Sequence, residues 1–438
     1  MRKAIKITLY VLVVVFVITG IGLGYLFTIV PPKNGVASLE SDLDGGAPEI
    51  LKWIVGDFEA DIDFDQIPEI LINNDLENVS TQEDFELRKE EMMDMFHEEV
   101  YGEVPDIEFN VTFEELLSEE ILDGRLYRKQ IKLTISTEFG SSDALILAYI
   151  PVAAEPVPAV VGLNFKGNSI VDGAESVMTS YGNLLSEKDL ESRSGERSIR
   201  WPYEKLVDAG YALFTVCAND FAPDTKDLYT SRLISLFPET EEIKAIAAWS
   251  FGMERVIDYL VNDSLIDNER IVTFGHSRFG KTSLLTAAND ERVALCIANG
   301  AGNTGAALSR GSYGETIKIV NRLYPYWFID EYNKYNSAEY EMPFDQHMLL
   351  ASIAPRKVYV ASSTRDLWAF PDGEYFSLML ASEAYELYGY TGEMPDSMPT
   401  EPTFIHNEYF GYHIKEDRHR ISDVDWDHFI NYMDEYLS

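Results

Sequence analysis

The sequence predicts an α/β fold in which a mainly parallel β-sheet is covered by helices on both faces. Short apolar stretches alternate with amphipathic ones from about residue 157 onwards, a pattern typical of parallel sheets. Hydrophobic residues make up 46% of the chain, which also holds 28 glycines and 18 prolines. This composition excludes wholesale disorder and fibrous architectures.

The predicted elements follow one another in a regular order. A helix is predicted over residues 82–100, where Phe85, Met92 and Phe96 recur at roughly helical spacing. Two β-rich stretches follow, at residues 127–136 and 144–150. Strands are then predicted at residues 157–165, 211–217, 270–274, 294–298, 357–362 and 403–406. Helices are predicted at residues 241–262, 281–288, 374–388 and 423–437. The polar stretch 171–200 is expected to be a long surface loop.

The amino terminus predicts a membrane anchor. Arg2, Lys3 and Lys6 precede an uncharged, mostly apolar stretch, residues 7–30, that is long enough to cross a bilayer as a helix. Basic residues before the stretch and acidic residues after it predict that the rest of the chain lies outside the cytoplasm. A cleaved signal peptide, which would make the protein secreted, is the alternative. Residues 1–30 are therefore predicted to be a transmembrane or signal-anchor segment.

The remaining chain is predicted to form a tether and one domain. Residues 31–60 carry Pro31-Pro32, Gly45-Gly46 and several acids with little periodicity, which indicates an acidic tether. Residues 61–438 are predicted to form a single α/β domain. The formal net charge of −39 argues against nucleic-acid binding, because the chain has no surplus of basic residues to meet phosphates. We expect a monomer.

One stretch between a predicted strand and a predicted helix fits two incompatible motifs. Residues 275–282 read GHSRFGKT, which matches the phosphate-binding P-loop pattern G-x-x-x-x-G-K-[ST] in full. They also resemble the nucleophile elbow of α/β-hydrolases, in which a serine, here Ser277, sits on a tight strand-to-helix turn. The elbow consensus has glycine two residues after the serine. Phe279 occupies that position here, and Gly280 follows it.

The context favours the hydrolase. A P-loop needs a second strand that ends in an acid for magnesium, whereas strand 294–298 is followed by Asn299-Gly300. Export also separates this segment from nucleoside triphosphates, so no nucleotide is expected. A hydrolase instead needs an acid and then a histidine later in the chain. Asp366 follows the predicted strand 357–362, and His419 precedes the last helix, which Ser422 and Asp425 are predicted to cap.

Chain order and loop position favour His419 as the general base. Most other histidines precede Asp366, lie beside Ser277 or fall inside a predicted helix. His406 and His413 stay as alternatives. The histidines show no paired spacing typical of metal ligands, so neither a metal nor a cofactor is expected.

At these residues the chain resembles the glucuronoyl esterases of carbohydrate esterase family 15, the bacterial type more than the fungal. The serine motif of that family, G-x-S-R-x-G-K, is reproduced by residues 275–281, displaced glycine included. Other matches cover most of the exported part of the chain. They are Val100-Tyr101-Gly102, 162–168 (GLNFKGN), Arg200-Trp201-Pro202, Gly210-Tyr211-Ala212, Ala247-Ala248-Trp249, 305–310 (GAALSR), 345–350 (DQHMLL), Ala354-Pro355-Arg356 and Gly411-Tyr412-His413.

The resemblance implies an α/β-hydrolase esterase domain and a role for each matching residue. Ser277 corresponds to the nucleophile, His419 to the general base, and Arg278 to an arginine that helps to stabilise the oxyanion. The implied substrate-binding residues are Lys281, Glu315 and Trp368. Lys281 would contact hydroxyl groups of the uronate ring; without a partner, a lysine in the first turn of a helix is unfavourable.

The implied reaction is hydrolysis of an ester between 4-O-methyl-glucuronate on glucuronoxylan and an alcohol group of lignin. One position departs from the family pattern, because many members carry a glutamate where this chain has Gly300. Some members hold the acid after the next strand, where Asp366 lies here. Two alternatives stay open: an acetylxylan or other carbohydrate esterase of the same fold, and a catalytically silent glycan-binding protein at the cell surface.

Overall fold

A computed structural model describes residues 30–42, 55, 58, 60–105, 107–195, 198–237, 243–392, 394–399 and 402–437. The predicted membrane anchor, residues 1–30, lies outside these ranges except for Val30. The helices in the described ranges are all too short or too polar to span a bilayer.

One mixed sheet runs through the described part of the chain. Its strands are β1 (Asn110–Ile121), β2 (Leu126–Thr137), β3 (Gly140–Pro151), β4 (Val157–Asn164), β5 (Ala212–Cys217), β6 (Ile266–His276), β7 (Val293–Asn299), β8 (Lys357–Ser363), β9 (Thr403–His406) and β10 (Phe410–Lys415). They are arranged in the order β1-β2-β3-β5-β4-β6-β7-β8-β10-β9. The central pairs from β5 to β10 are parallel, and the pairs at both edges are antiparallel. The predicted mostly parallel sheet is therefore confirmed.

Helices lie between most of the central strands. In the described ranges they are α1 (Pro32–Asp42), α2 (Gln82–Phe96), α3 (Asn168–Val171), α4 (Glu187–Arg193), α5 (Tyr203–Asp208), α6 (Ala245–Leu260), α7 (Arg278–Asn289), α8 (Ile317–Leu323), α9 (Gln346–Ala351), α10 (Pro371–Glu386) and α11 (Asp423–Tyr436). The predicted helices at 241–262, 281–288, 374–388 and 423–437 correspond to α6, α7, α10 and α11.

Both faces of the sheet are buried, as the unbroken apolar strands predict. Every residue of β4 is buried, and its successive side chains enter two different cores. Val161 packs in the larger core with residues of α6 and α7. Val160 packs in the smaller core with Trp426 and Phe429 of α11. Parallel strands covered on both faces keep their carboxyl ends free for a binding site.

Two strands were not predicted. β1 carries four glutamates and holds no fully buried residue, so it lacks the apolar alternation of a half-buried strand. β10 is fully buried, but its sequence FGYHIK is short and contains glycine and histidine. The loop predicted at 171–200 is largely irregular, although α4 and a 3₁₀ turn at Ser198–Arg200 interrupt it.

The predicted tether contains a docked helix. Helix α1 buries Val36 and Ala37 completely. Its Asn34 side chain donates hydrogen bonds to the carbonyl of Tyr313, at 2.8 Å, and to that of Gly314. At least residues 32–42 therefore pack on the rest of the protein, while the boundary near residue 60 stays a prediction.

Ser422 caps the last helix, as predicted. Its backbone N–H and its hydroxyl both donate to Asp425 Oδ2, at 2.7 and 2.9 Å, and its hydroxyl accepts from Lys415 Nζ at 3.1 Å. We expect Ser422→Ala to lower the free energy of unfolding by about 1 kcal/mol, because a capping hydroxyl is lost. Urea unfolding measures the change. Ser422→Thr keeps the hydroxyl and is the control; equal losses in both variants would contradict this role of the hydroxyl.

Candidate active site

Ser277 lies on a strained turn between β6 and α7. Its backbone has φ 61° and ψ −132°, a conformation that residues other than glycine rarely adopt. The turn is so tight that a Cβ on Gly275 would lie 1.8 Å from the carbonyl oxygen of Phe279. A serine held this way at the end of a central parallel strand has the geometry of a nucleophile elbow.

Close packing explains why glycine stands at position 280, one residue later than in the elbow consensus. A Cβ on Gly280 would lie 2.8 Å from the Cβ of Ala301, in the loop that follows β7. Glycine is therefore needed where α7 approaches that loop. Phe279, at the position of the consensus glycine, is buried against Phe165 and Trp249, with ring centroids 4.3 and 5.2 Å away.

Three of the predicted residues form one hydrogen-bonded chain. His419 Nε2 lies 2.8 Å from Ser277 Oγ, and His419 Nδ1 lies 2.6 Å from Asp366 Oδ2. Ser277 follows β6, Asp366 follows β8, and His419 lies in the loop between β10 and α11. All three strands are parallel, so their carboxyl ends bring the three side chains to one edge of the sheet.

The Asp366 carboxylate favours the protonated form of His419. Burial lowers the pKa of His419, but the carboxylate beside it has the opposite effect, and the net shift is upward. The ring of His276 packs 4.7 Å from that of His419. Burial and the neighbouring His419 hold the pKa of His276 well below its usual range, so this second ring stays neutral.

The two alternative histidines, His406 and His413, form hydrogen bonds with residues other than Ser277. His413 Nε2 lies 3.0 Å from Asp425 Oδ1, and its Nδ1 lies 3.0 Å from the hydroxyl of Tyr359. His406 Nε2 contacts the same hydroxyl at 3.0 Å. Of the three candidates, His419 is thus the one beside Ser277.

Gly300 lies directly beside the hydrogen-bonded chain. A Cβ at this position would be 3.3 Å from Asp366 Oδ2 and 3.4 Å from His419 Nδ1. A longer side chain would enter the space that the Asp366 carboxylate fills. The end of β8 therefore supplies the carboxylate beside His419, and Gly300 at the end of β7 leaves room for it.

Arg278 is held at the edge of the site by a carboxylate and aromatic rings. Its Nη1 donates to Asp224 Oδ2, and its guanidinium lies 4.7 Å from the ring centroid of Trp327 and 5.3 Å from that of Tyr324. Asp224 also accepts from Tyr326 and from Trp327 Nε1. No sequence pattern points to Asp224, which lies in irregular chain far from the serine motif.

Lys281 is buried in an ion pair with Glu315. Its Nζ donates to Glu315 Oε2 at 2.9 Å, to the carbonyl of Ala301 at 2.8 Å and to the carbonyl of Asn303. All three ammonium N–H groups are thus engaged, and none is left for a sugar hydroxyl in this arrangement. A carboxylate and two carbonyls around the lysine are also the opposite of a phosphate site, which argues against the P-loop.

A cavity of about 520 Å³ opens above these residues, a size suited to a small-molecule group. Ser277, Arg278, Lys281, Glu315, Trp368 and His419 line it, while Asp366 lies behind His419. Aromatic residues that the sequence analysis missed, Tyr324 and Trp327, form another wall. In the described ranges, no group of three or more histidines, cysteines or acids is placed to hold a metal ion.

Comparison with known proteins places the chain in a family. Residues 202–389 match a family model described as glucuronyl esterase, fungi. Carbohydrate esterase MZ0003, from an unknown prokaryotic organism, is 33% identical over 87% of this chain and 91% of its own length. The solved glucuronoyl esterase from Solibacter usitatus is 32% identical, covers 86% of this chain and 99% of its own, and superposes with a TM-score of 0.78.

A more distant relative is the 4-O-methyl-glucuronoyl methylesterase of Cerrena unicolor, 29% identical over 56% of each chain. The fold, the site and these identities agree, which sets aside a catalytically silent protein. The chain belongs to carbohydrate esterase family 15, the glucuronoyl esterases, and is a carboxylic ester hydrolase.

Proposed function

We propose that this esterase hydrolyses esters of 4-O-methyl-glucuronate carried by glucuronoxylan, with Ser277 as nucleophile. The observation that carries the proposal is the unbroken contact from Asp366 through His419 to Ser277, which ends in the cavity. The names of the relatives support a glucuronoyl ester as substrate. Such a polymer is outside the cell, which agrees with the predicted export and anchoring by residues 1–30.

In the proposed reaction, His419 Nε2 takes the proton of Ser277 as its oxygen attacks the ester carbonyl. Asp366 stabilises the imidazolium through Nδ1 and keeps the ring in the orientation that faces Ser277. His419 then returns the proton to the departing alcohol. Water, activated by the same imidazole, attacks the acyl-enzyme and releases the uronic acid.

Arg278 is the proposed oxyanion group. It is the first residue of α7, where backbone N–H groups have no acceptor within the helix. Its guanidinium Nε has no hydrogen-bond partner among the described residues. A charge-assisted donor held rigid by Asp224 and Trp327 stabilises negative charge on the oxyanion without having to reorganise.

The sugar is proposed to bind against Glu315 and Trp368. Glu315 Oε2 is held by Lys281, whereas Oε1 has no hydrogen-bond partner in the described part of the chain and can accept from a sugar hydroxyl. Lys281 then contributes by holding this carboxylate in place and balancing its charge. Trp368 offers an apolar surface to the sugar ring.

Ser277→Ala tests the nucleophile. We expect kcat on a benzyl glucuronate ester to fall by about four orders of magnitude or more, because the attacking oxygen is lost. The exposed Ser141→Ala is the matched control and should keep full activity. Circular dichroism checks that both variants fold. Full activity in Ser277→Ala would remove the proposal, and faster turnover of acetylated xylan than of glucuronate esters would instead favour an acetylxylan esterase.

Asp366→Asn tests the orienting acid. We expect a loss of about four orders of magnitude in kcat, because an amide neither fixes the ring nor stabilises the imidazolium. Asp396→Asn, an exposed change of the same chemistry, is the control. If Asp366→Asn stays close to the activity of the unmodified protein, another carboxylate serves His419.

The pH profile follows from the upward shift of the His419 pKa. Neutral imidazole is the active base, so kcat/KM is expected to be high above this pKa and to fall as pH decreases through it. The midpoint should lie above 6.5, the ordinary value for histidine. It should move to lower pH in Asp366→Asn, where burial still acts and the carboxylate does not. A midpoint unchanged by that substitution would show that Asp366 does not interact with the base.

A further inference from the structure

The segment between the predicted anchor and the domain contributes to the substrate cavity. Ser38 and Ser41 line it together with the predicted catalytic and sugar-binding residues, as does Val30, the last residue of the predicted anchor. Helix α1, which carries both serines, is held against the protein by the fully buried Val36 and Ala37. This segment therefore forms a wall of the binding site and is more than a connection to the membrane.

Helix α1 also joins the two loops that present Trp368 and Glu315. Ser41 Oγ accepts a hydrogen bond from the backbone N–H of Trp368 at 2.9 Å. On the other loop, Asn34 Nδ2 donates to the carbonyls of Tyr313 and Gly314, directly before Glu315. One helix thus contacts the backbone next to each of the two residues.

The two loops also contact each other at this point. The backbone N–H of Glu315 donates to the carbonyl of Trp368 at 2.8 Å. A Cβ on Gly314 would lie 2.3 Å from the same carbonyl oxygen, so the two backbones are in close contact. Because Trp368 bonds Ser41 through its N–H and Glu315 through its C=O, a shift of α1 moves both side chains together.

We infer that α1 is a substrate-positioning element, in which Ser41 and Asn34 hold Trp368 and Glu315 in place and Ser38 faces the bound sugar. The inference rests on the proposed function, because it assigns the sugar to this side of the cavity. The Ser38 hydroxyl has no hydrogen-bond partner among the described residues and is available to a hydroxylated substrate. The hydrogen bonds of Ser41 and Asn34 go to backbone groups, so these side chains act through the loops that they hold.

The test compares full-length Ser41→Ala and Ser41→Thr on a benzyl glucuronate ester and on phenyl acetate, an ester without a sugar. In Ser41→Ala we expect KM for the glucuronate ester to rise about 10-fold with kcat nearly unchanged, because a lost positioning bond weakens sugar binding. Turnover of phenyl acetate should not change. Ser41→Thr keeps the acceptor oxygen and should restore KM. A general loss of stability would lower both activities equally, and that result would overturn the inference.

Ser38→Trp provides a second test that does not depend on the Ser41 hydrogen bond. The large ring should fill the sugar side of the cavity, raising KM for the glucuronate ester while phenyl acetate is still turned over. Pro31→Ala, an exposed change in the same segment, is the control. Unchanged KM in both Ser38→Trp and Ser41→Ala would overturn the role of α1 even if Ser277→Ala is inactive. An active Ser277→Ala would instead overturn the proposed function.

Discussion

The tight turn between β6 and α7 determines where Ser277, Arg278 and Lys281 lie, and so where the other groups of the cavity must meet them. It holds Ser277 at a positive φ, which costs about 1–3 kcal/mol for a residue with a side chain. The cost is met because β6 and α7 are packed into the core on both sides of the turn. The same turn places Arg278 at the start of α7 and Lys281 one helical turn later. The proposed nucleophile, the proposed oxyanion group and the ion pair of Lys281 are therefore positioned by one local structure.

Each basic side chain around this turn contacts a carboxylate, although the whole chain carries −39. Arg278 is paired with Asp224, Lys281 with Glu315, and His419 with Asp366. Buried ions are expensive unless each has a close counterion, so the pairing keeps the cavity stable. A further acid, Glu374, accepts hydrogen bonds from Gly302 N–H and Ser362 Oγ. Burial raises its pKa to about 8, so near neutral pH it adds little negative charge to that of Asp366.

The sequence was sufficient to predict those parts of the structure that a local pattern determines. Apolar strands, the elbow and the chain order of acid and histidine predicted the central sheet and the contact among Ser277, Asp366 and His419. Features that depend on packing between distant parts of the chain were not predictable. The sequence of β1 is too acidic to indicate a strand. Asp224 lies in irregular chain, and only the fold brings it to Arg278. The sequence predicts a tether at helix α1 because its apolar residues are few, and the loops that it contacts lie 279 to 327 residues further along the chain. The hydrogen bonds that Lys281 donates to two carbonyls likewise depend on the path of the loop after β7.

The position of Asp366, the proposed orienting acid, shows which part of this geometry is free to vary. β7 and β8 are adjacent parallel strands, so their carboxyl ends lie about 4.8 Å apart. A carboxylate from either end can approach the same nitrogen of His419, and the short distances from a Cβ at Gly300 to both Asp366 and His419 are consistent with this. In this chain Gly300 carries no acid, so Asp366 is the carboxylate in contact with His419. The imidazole therefore has one position relative to Ser277, whereas its acid can come from either strand without a change of fold.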